Sequence, residues 1–151
     1  MRPRLLFDTS IYIPYLRAEA YSALIGQAVR ANQVFLSAVV LAELYAGTRS
    51  PRDKSDLDMI LRGYQSLGLL VTPIAEDWAR AGQVIRRHHS HYGEIEPREH
   101  LNDVLILISS GRIGAEVVTE NAKHFSRWVA LFRRMGVSLR IREVHRGEHL
   151  D

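Results

Sequence analysis

Apolar residues recur along the chain in short continuous runs separated by stretches with helical spacing. The short runs are typical of strands that are buried on both faces, and they comprise Leu5–Phe7, Val34–Leu36, Leu69–Val71, Val117–Thr119 and, as a last candidate, Val137–Ile141. Strands that alternate with helices throughout a chain indicate a parallel sheet with helices on both faces. The pattern therefore predicts an α/β protein with three layers, α/β/α, around a central and mainly parallel sheet.

Between these runs, apolar residues at spacings of three and four predict helices. The predicted helices are residues 11–17, 18–31, 39–46, 57 to near 68, 76–87 and 101–110, with a short one around 128–132. The helix over 101–110 is apolar on all sides, so we expect it at the centre of the molecule. Residues 49–54 are predicted to be a polar link, residues 88–100 a mobile surface loop, and the polar tail from about residue 143 frayed.

Composition narrows the class of protein. A chain of 151 residues with 46% hydrophobic and 25% charged residues predicts one soluble globular domain spanning residues 1–151. It contains no cysteine, which excludes disulfides and cysteine-ligated metals. No run of apolar residues has the length of a signal peptide or a membrane span, so we expect a cytoplasmic protein without a membrane partner. A net charge of +3 is only a weak indication of a polyanionic partner.

Three carboxylates stand at places where chemistry is expected. Asp8 follows the first predicted strand, and ligands of open α/β sheets bind outside the carboxyl ends of strands. Glu43 lies in an almost wholly apolar helix, and Asp103 heads the helix before Val117–Thr119. Right-handed crossovers can bring all three to one edge of the sheet, where such acids would repel unless they held a divalent cation. An oxygen-only set favours Mg²⁺ or Mn²⁺.

Each of these acids also has a plainer interpretation. Asp8 can be a helix N-cap, because Asp is common there. Glu43 can point to solvent on a narrow polar stripe. Spacing alone leaves the convergence of the three acids open. The histidines of residues 88–100 invite a zinc interpretation, but they lack the paired helical spacing of a metalloprotease site, and an incidental polar loop is the better prediction.

Four segments resemble the successive motifs of the PIN domain family. They occur in the family's order and span most of the chain: Leu5–Ser10, Leu36–Gly47, Asn102–Ile106 and Val117–Phe125. The compact length is similar to that of the VapC-type toxins of toxin–antitoxin pairs. The resemblance implies a PIN-like fold and a Mg²⁺- or Mn²⁺-dependent ribonuclease. It also implies a homodimer that a small antitoxin neutralises.

The resemblance also assigns roles to residues. Asp8, Glu43 and Asp103 fall on the family's acidic positions, which implies that they are catalytic and bind the metal, and Thr119 falls on its active-site hydroxyl. Asn121 stands where many members carry a fourth acid, so a neutral oxygen replaces a charge there and weakens the case for a second metal. We expect Asn121, rather than its neighbour, to face the site.

Two other functions remain open on the sequence. The same fold can hold RNA or a protein without cutting it. A phosphotransfer enzyme with an aspartyl nucleophile is disfavoured, because such an enzyme requires a second acid two residues after Asp8, and this chain has Ser10. Neither a P-loop nor a glycine-rich dinucleotide turn is present.

Overall fold

A parallel sheet forms the middle layer of the structure, a computed structural model that describes residues 2–148. Its five strands are β1 (Arg4–Phe7), β2 (Gln33–Ser37), β3 (Leu70–Val71), β4 (Ala115–Thr119) and β5 (Ile141–Glu143). They lie in the order β3-β2-β1-β4-β5, and every neighbouring pair is parallel. The order reverses beside β1, so the carboxyl ends of β1 and β4 border a topological switch point, the usual ligand position of such sheets.

Seven helices in residues 2–148 pack around this sheet. They are α1 (Thr9–Ala18), α2 (Ser22–Ala31), α3 (Ala38–Ala46), α4 (Pro51–Ser66), α5 (Ala75–Tyr92), α6 (Pro97–Arg112) and α7 (Ala122–Arg134). The successive residues Leu5, Leu6 and Phe7 are all buried, which requires that both faces of β1 are covered. The predicted three-layer α/β/α architecture is thereby confirmed. None of the helices in the described part of the chain is long and apolar enough to cross a bilayer.

The central helix of the prediction is α6. Every residue from Val104 to Ser110 is buried, and the hydroxyls of Ser109 and Ser110 donate to the carbonyl oxygens of Leu105 and Leu107. These bonds satisfy two polar groups that would otherwise be costly to bury. The helix therefore passes through the core without an unpaired hydroxyl.

Two predicted loops are helical. Pro51 and Pro97 each occupy the first turn of a helix, so residues 51–54 belong to α4 and α6 begins before residue 101. Proline suits this place because its missing N–H has no partner in the first turn. Residues 88–92 are the last turn of α5, which leaves a connection of only four residues, 93–96, between α5 and α6.

Because α6 starts earlier than predicted, Asn102 and Asp103 lie well inside the helix and not at its beginning. Asp103 lies in its second turn, beyond the range of the helix's positive end, and Asn102 is not a cap because Glu96 caps α6. Gly111 does not end the helix either. A Cβ there would lie 2.1 Å from the side chain of Leu139, so the glycine leaves room for this contact.

The helix predicted over residues 18–31 is interrupted. Glu19 and Tyr21 adopt positive φ angles of 54° and 65°, and they separate α1 from α2. Such angles are strained for residues with side chains and persist where the surroundings hold them. Tyr21 is held because it is buried and its hydroxyl donates to the Glu120 carboxylate, 2.5 Å away.

The last strand lies later than predicted. Leu139 is buried against Gly111, and Arg140 donates to the carbonyl oxygen of Gly114, so this part of the chain packs irregularly before β5 begins. The polar tail expected from about residue 143 starts with a buried residue, Val144, whose N–H donates to the Thr119 carbonyl oxygen. The end of that tail, residues 149–151, lies outside the described residues.

Candidate active site

The carboxylate of Asp8 is the centre of the candidate site. Asp8 directly follows β1 and is the N-cap of α1, where its Oδ1 accepts from the backbone N–H of Ser10 at 3.1 Å. The Ser10 hydroxyl donates to the same oxygen at 2.6 Å, and the Thr119 hydroxyl donates to Oδ2 at 2.9 Å. A carboxylate offers about four acceptor positions, so this arrangement leaves one of them for a further ligand.

The two hydroxyls also join the strand ends to each other. The Ser10 oxygen accepts from the N–H of Glu120, and the Thr119 oxygen accepts from the N–H of Asn121, both at 2.9 Å. Each hydroxyl proton is thereby directed to Asp8. The chain just after β4 is consequently locked to the start of α1.

Glu43 reaches this centre from α3. Its Oε1 accepts from the hydroxyl of Thr9 at 3.2 Å, and α3 packs against both α1 and α6. Burial raises the pKa of the Glu43 carboxyl above its ordinary value, the Thr9 hydrogen bond opposes this shift, and the charges of Asp103 and Asp8 add to it. Glu43 is thus partly buried and not on a solvent stripe, and within residues 2–148 no cation forms a salt bridge with it.

The pKa values of the Asp8 and Asp103 carboxyls are also raised. Burial raises the pKa of Asp8, against the hydrogen bonds from Ser10 and Thr119, and the charge of Asp103 raises it further. Burial also raises the pKa of Asp103, while His124 and His100 lower it. The charges of Asp103 and Asp8 therefore act on the neighbouring acids, so the three carboxylates lie near one another. Sequence spacing alone had left this convergence open.

The donor set fits a hard divalent cation in a hydrated form. Across residues 2–148, no three His, Asp or Glu side chains stand close enough to enclose an ion by themselves. Mg²⁺ usually retains several waters and takes only one or two carboxylates directly. Within residues 2–148, Asp8 has a free acceptor position and none of the three acids forms a salt bridge, so Asp8, Glu43 and Asp103 are the residues that would hold such an ion.

The Asn121 side chain forms no hydrogen bond with the three acids in residues 2–148. This side chain is exposed and makes no hydrogen bond within residues 2–148, and only the backbone N–H of Asn121 contacts the site. Its neighbour Glu120 is turned away to the Tyr21 hydroxyl and to Arg146, whose Nε lies 3.5 Å from the carboxylate. Neither residue supplies a fourth acid to the cluster as the side chains stand.

Sequence reasoning missed several residues around the cluster. Thr9 and Ser10 are two of them, and they bond to Glu43 and Asp8. Two hydroxyls that directly follow a site aspartate are a usable signal for this role. His124 comes near Asp103 because α6 and α7 pack together, whereas His100 lies three residues before Asp103 on α6 and was missed because residues 88–100 were predicted to be a loop.

A buried acid cluster at the switch point of a parallel sheet defines the class: an α/β protein with a carboxylate site outside the carboxyl ends of β1 and β4. The model of the PIN domain family matches residues 5–131, which is most of the chain. The chain belongs to the PIN domain family.

Solved structures share the fold at low sequence identity. The chain is similar to a structure of VapBC2 from Rickettsia felis bound to a promoter DNA fragment, with 21% identity, a TM-score of 0.68 and coverage of 94% of this chain and 99% of that one. DNA-bound VapBC from Salmonella typhimurium gives 19% identity, a TM-score of 0.63 and coverages of 95% and 98%. VapBC-5 from Mycobacterium tuberculosis gives 20% identity, a TM-score of 0.55 and coverage of 93% of this chain and 98% of that one. No curated protein sequence matches the chain.

Proposed function

We propose that this protein is a Mg²⁺- or Mn²⁺-dependent ribonuclease, the VapC-type toxin of a toxin–antitoxin pair, acting in the cytoplasm. The observation that carries the proposal is the buried Asp8 carboxylate, which has three hydrogen-bond donors, two neighbouring acids and no cationic partner in residues 2–148. Such an arrangement is costly to keep empty. Membership of the PIN domain family supports the same chemistry.

Each residue has a distinct part in this function. Asp8, Glu43 and Asp103 would hold the cation, which supplies a more acidic bound water and neutralises charge on a phosphodiester. Ser10 and Thr119 orient Asp8 through their hydroxyl protons. Thr9 fixes one oxygen of Glu43. Asn121 contributes a neutral group at the rim.

The decisive experiment substitutes the central acid. Asp8→Asn keeps the shape and the N-cap but removes the charge that binds metal, so we expect RNA cleavage to be lost while RNA affinity changes little. EDTA should inactivate the wild type, and Mn²⁺ should restore it but not Asp8→Asn. Glu76→Gln is the matched control, because Glu76 is an exposed acid on α5.

The main competing function is a PIN-fold module that binds RNA without cutting it. If the wild type binds RNA but leaves it intact across Mg²⁺ and Mn²⁺ titrations, and Asp8→Asn behaves identically, the ribonuclease proposal is wrong and the binding module replaces it.

A small antitoxin is the proposed protein partner. The similar structures are VapBC assemblies, and this chain has an open groove of about 770 Å³ between α2 and α4 that suits an apolar segment. Val29 and Leu67 line this groove, with 55% and 72% of their surfaces exposed. Tyr64 also lines the groove, and its hydroxyl bonds to that of the buried Tyr12.

The partner is tested by co-expression with the small protein encoded beside this gene. Leu67, which follows α4 directly, lines the groove, so Leu67→Asp should weaken co-purification. Met59→Asp changes an exposed residue of α4 outside the groove and should not. Equal co-purification of both variants would contradict this docking site. The homodimer, also part of the proposal, is measured by sedimentation of the protein alone.

A further inference from the structure

Another concave surface, lined in part by Asp103, lies between α5, α6 and α7. It has a volume of about 280 Å³, and its cationic or ionisable members are His100, Lys123, His124 and Arg127, which we call the cationic cleft. We propose that the cationic cleft binds a phosphate of the RNA strand one nucleotide away from the bond that is cut. This inference rests on the proposed function and adds the place where the substrate is held.

The two permanent charges of the cleft lie on one face of α7. Lys123 is in the first turn and Arg127 follows four residues later, so their side chains are neighbours on the helix surface. Neither forms an ion pair with a carboxylate within residues 2–148. By contrast, Arg146 on the other side of the site is paired with Glu120. Lys123 and Arg127 are therefore available for an external anion.

Arg127 is held in place before any ligand arrives. Its guanidinium lies 4.7 Å from the centre of the Tyr92 ring, and its Nη1 is 3.4 Å from Nε2 of His88. The other ring nitrogen of the buried His88 is 3.1 Å from the Gly93 carbonyl oxygen, which can only accept. His88 therefore carries its proton on Nδ1, and Nε2 accepts from Arg127.

Aromatic packing makes this support rigid. The His88 ring packs at tilted angles of 46° and 35° against the rings of Tyr92 and Trp128, with ring centres 5.2 and 5.1 Å away, and Trp128 also contacts His100 at 5.6 Å. Trp128 is 3% exposed, so it forms the floor of the cleft and is not a platform for a base. A cation fixed in this way loses little side-chain freedom when it binds a phosphate.

The position of the cleft determines where the bound phosphate would lie relative to the candidate active site. Asp103 lines the cleft and belongs to the acid cluster, so a phosphate between Lys123 and Arg127 lies directly beside the candidate active site. The volume suits one nucleotide unit and not a duplex. Asp103 and Glu99 are negative and also line the cleft, which places the anion towards α7 and away from α6.

The test compares two double variants of the same helix. Lys123→Ala/Arg127→Ala removes the cationic cleft's fixed charges, and Arg133→Ala/Arg134→Ala removes two exposed charges from the other end of α7, about 16 Å along the helix from Lys123 to Arg134. Binding of a labelled oligouridylate is measured by fluorescence anisotropy in EDTA over a range of salt concentrations. Circular dichroism checks that both variants are folded.

We expect the cleft variant to bind about ten-fold more weakly at low salt, with the slope of log K against log salt reduced by about 0.7, because the loss of one phosphate contact on a single strand removes about 0.7 from the slope. The control should keep the wild-type slope. With metal present, the cleft variant should raise KM much more than it lowers kcat. A single change, Lys123→Gln, should give about half the reduction in slope.

Three outcomes would overturn the inference. They are an unchanged slope in the folded cleft variant, an equal loss in both double variants, and cleavage by the cleft variant with wild-type KM. Failure of the proposed function is recognised separately. A wild type that never cuts RNA, but whose binding is lost only in the cleft variant, would retain the phosphate site and reject hydrolysis.

Discussion

Asp8 and Asp77 are both buried aspartates near the start of a helix, yet their surroundings differ in kind. Asp77 is 3% exposed, accepts from the Ile74 N–H at 3.0 Å, and pairs with Nε of Arg112 at 3.0 Å. Asp8 is 7% exposed and receives only hydroxyl and N–H donors, with two further acids nearby. The charge of Asp77 is thus balanced by Arg112, whereas no salt bridge in residues 2–148 balances the charge of Asp8.

The difference separates a carboxylate that supports the fold from one that is available for chemistry. Arg112 also donates to the Thr72 carbonyl oxygen, so the Asp77 pair ties α6 to the start of α5. At Asp8 the same burial raises the pKa and no cation offsets it. Local imbalance of this type is retained where function requires it.

The largest expected effect on stability is that of Asp77→Asn, which we compare with the same substitution at Asp8. Asp77→Asn breaks the ion pair and should lower the free energy of unfolding by about 2 kcal/mol, less than for a fully buried pair because Arg112 is partly exposed. That corresponds to a fall in Tm of about 4–8 °C at this size. Asp8→Asn should leave Tm nearly unchanged, since Asn caps a helix and can bond to both hydroxyls.

Differential scanning calorimetry of the metal-free proteins measures both changes. RNA cleavage per folded molecule should be retained in Asp77→Asn and lost in Asp8→Asn. If the two variants lose equal stability, the contrast between a structural and a functional carboxylate is wrong.

Asp103→Asn should sharpen the contrast by relieving repulsion. In the metal-free protein we expect stabilisation of about 1 kcal/mol, or about 2–4 °C in Tm, because one of three mutually repelling charges is removed. Mg²⁺ or Mn²⁺ should raise the Tm of the wild type and have a smaller effect on the variant. A loss of stability in Asp103→Asn, together with no metal effect on the wild type, would contradict the acid cluster.

The stability advantage of Asp103→Asn should also depend on pH. The folded pKa of Asp103 is raised, so the wild type is favoured by protonation of this group below the unfolded pKa and loses that contribution as pH rises through the folded value. The Tm difference between variant and wild type should therefore be largest at neutral pH and shrink as pH falls toward 4. The Tm difference between Asp77→Asn and the wild type is measured for comparison. A Tm difference between Asp103→Asn and the wild type that grows on acidification would contradict a raised pKa at Asp103.

The smallest effect is expected for Asn121→Ala. The side chain is exposed and makes no hydrogen bond in the described residues, so cleavage should fall less than in variants of Asp8, Glu43 or Asp103. Single-turnover cleavage rates under saturating metal rank the four variants. An Asn121→Ala rate as low as that of Asp8→Asn would make Asn121 a direct ligand or catalytic group.

The strand pattern was predictable because β1, β2 and β4 are short apolar runs between longer helical patterns. Asp8, Glu43 and Asp103 could be selected because each is a charge in an apolar context. The helix beginnings at Pro51 and Pro97 were missed because a proline within a polar stretch was interpreted as part of a link. Trp78 is a large apolar residue of α5, yet 51% of it is exposed, since the buried face of the helix runs through Asp77, Ala81, Val84 and His88.

Contacts between helices were beyond prediction. The cationic cleft depends on how α5, α6 and α7 lie against each other, and sequence periodicity gives the inward face of each helix but not its neighbour. Arg112 illustrates the same limit, because its partner Asp77 is 35 residues away and nothing in the local sequence pairs them.

The bond between Thr119 and Asp8 spans 111 positions of the chain. A ribosome adds about 5–20 residues per second, so roughly 6–22 s separate the synthesis of these two residues. During that time β1 has β2 to pair with but lacks β4, and the Thr119 donor to Asp8 does not yet exist. The nascent chain thus completes its acid centre only after Thr119 has been translated, which delays any activity of that centre until then.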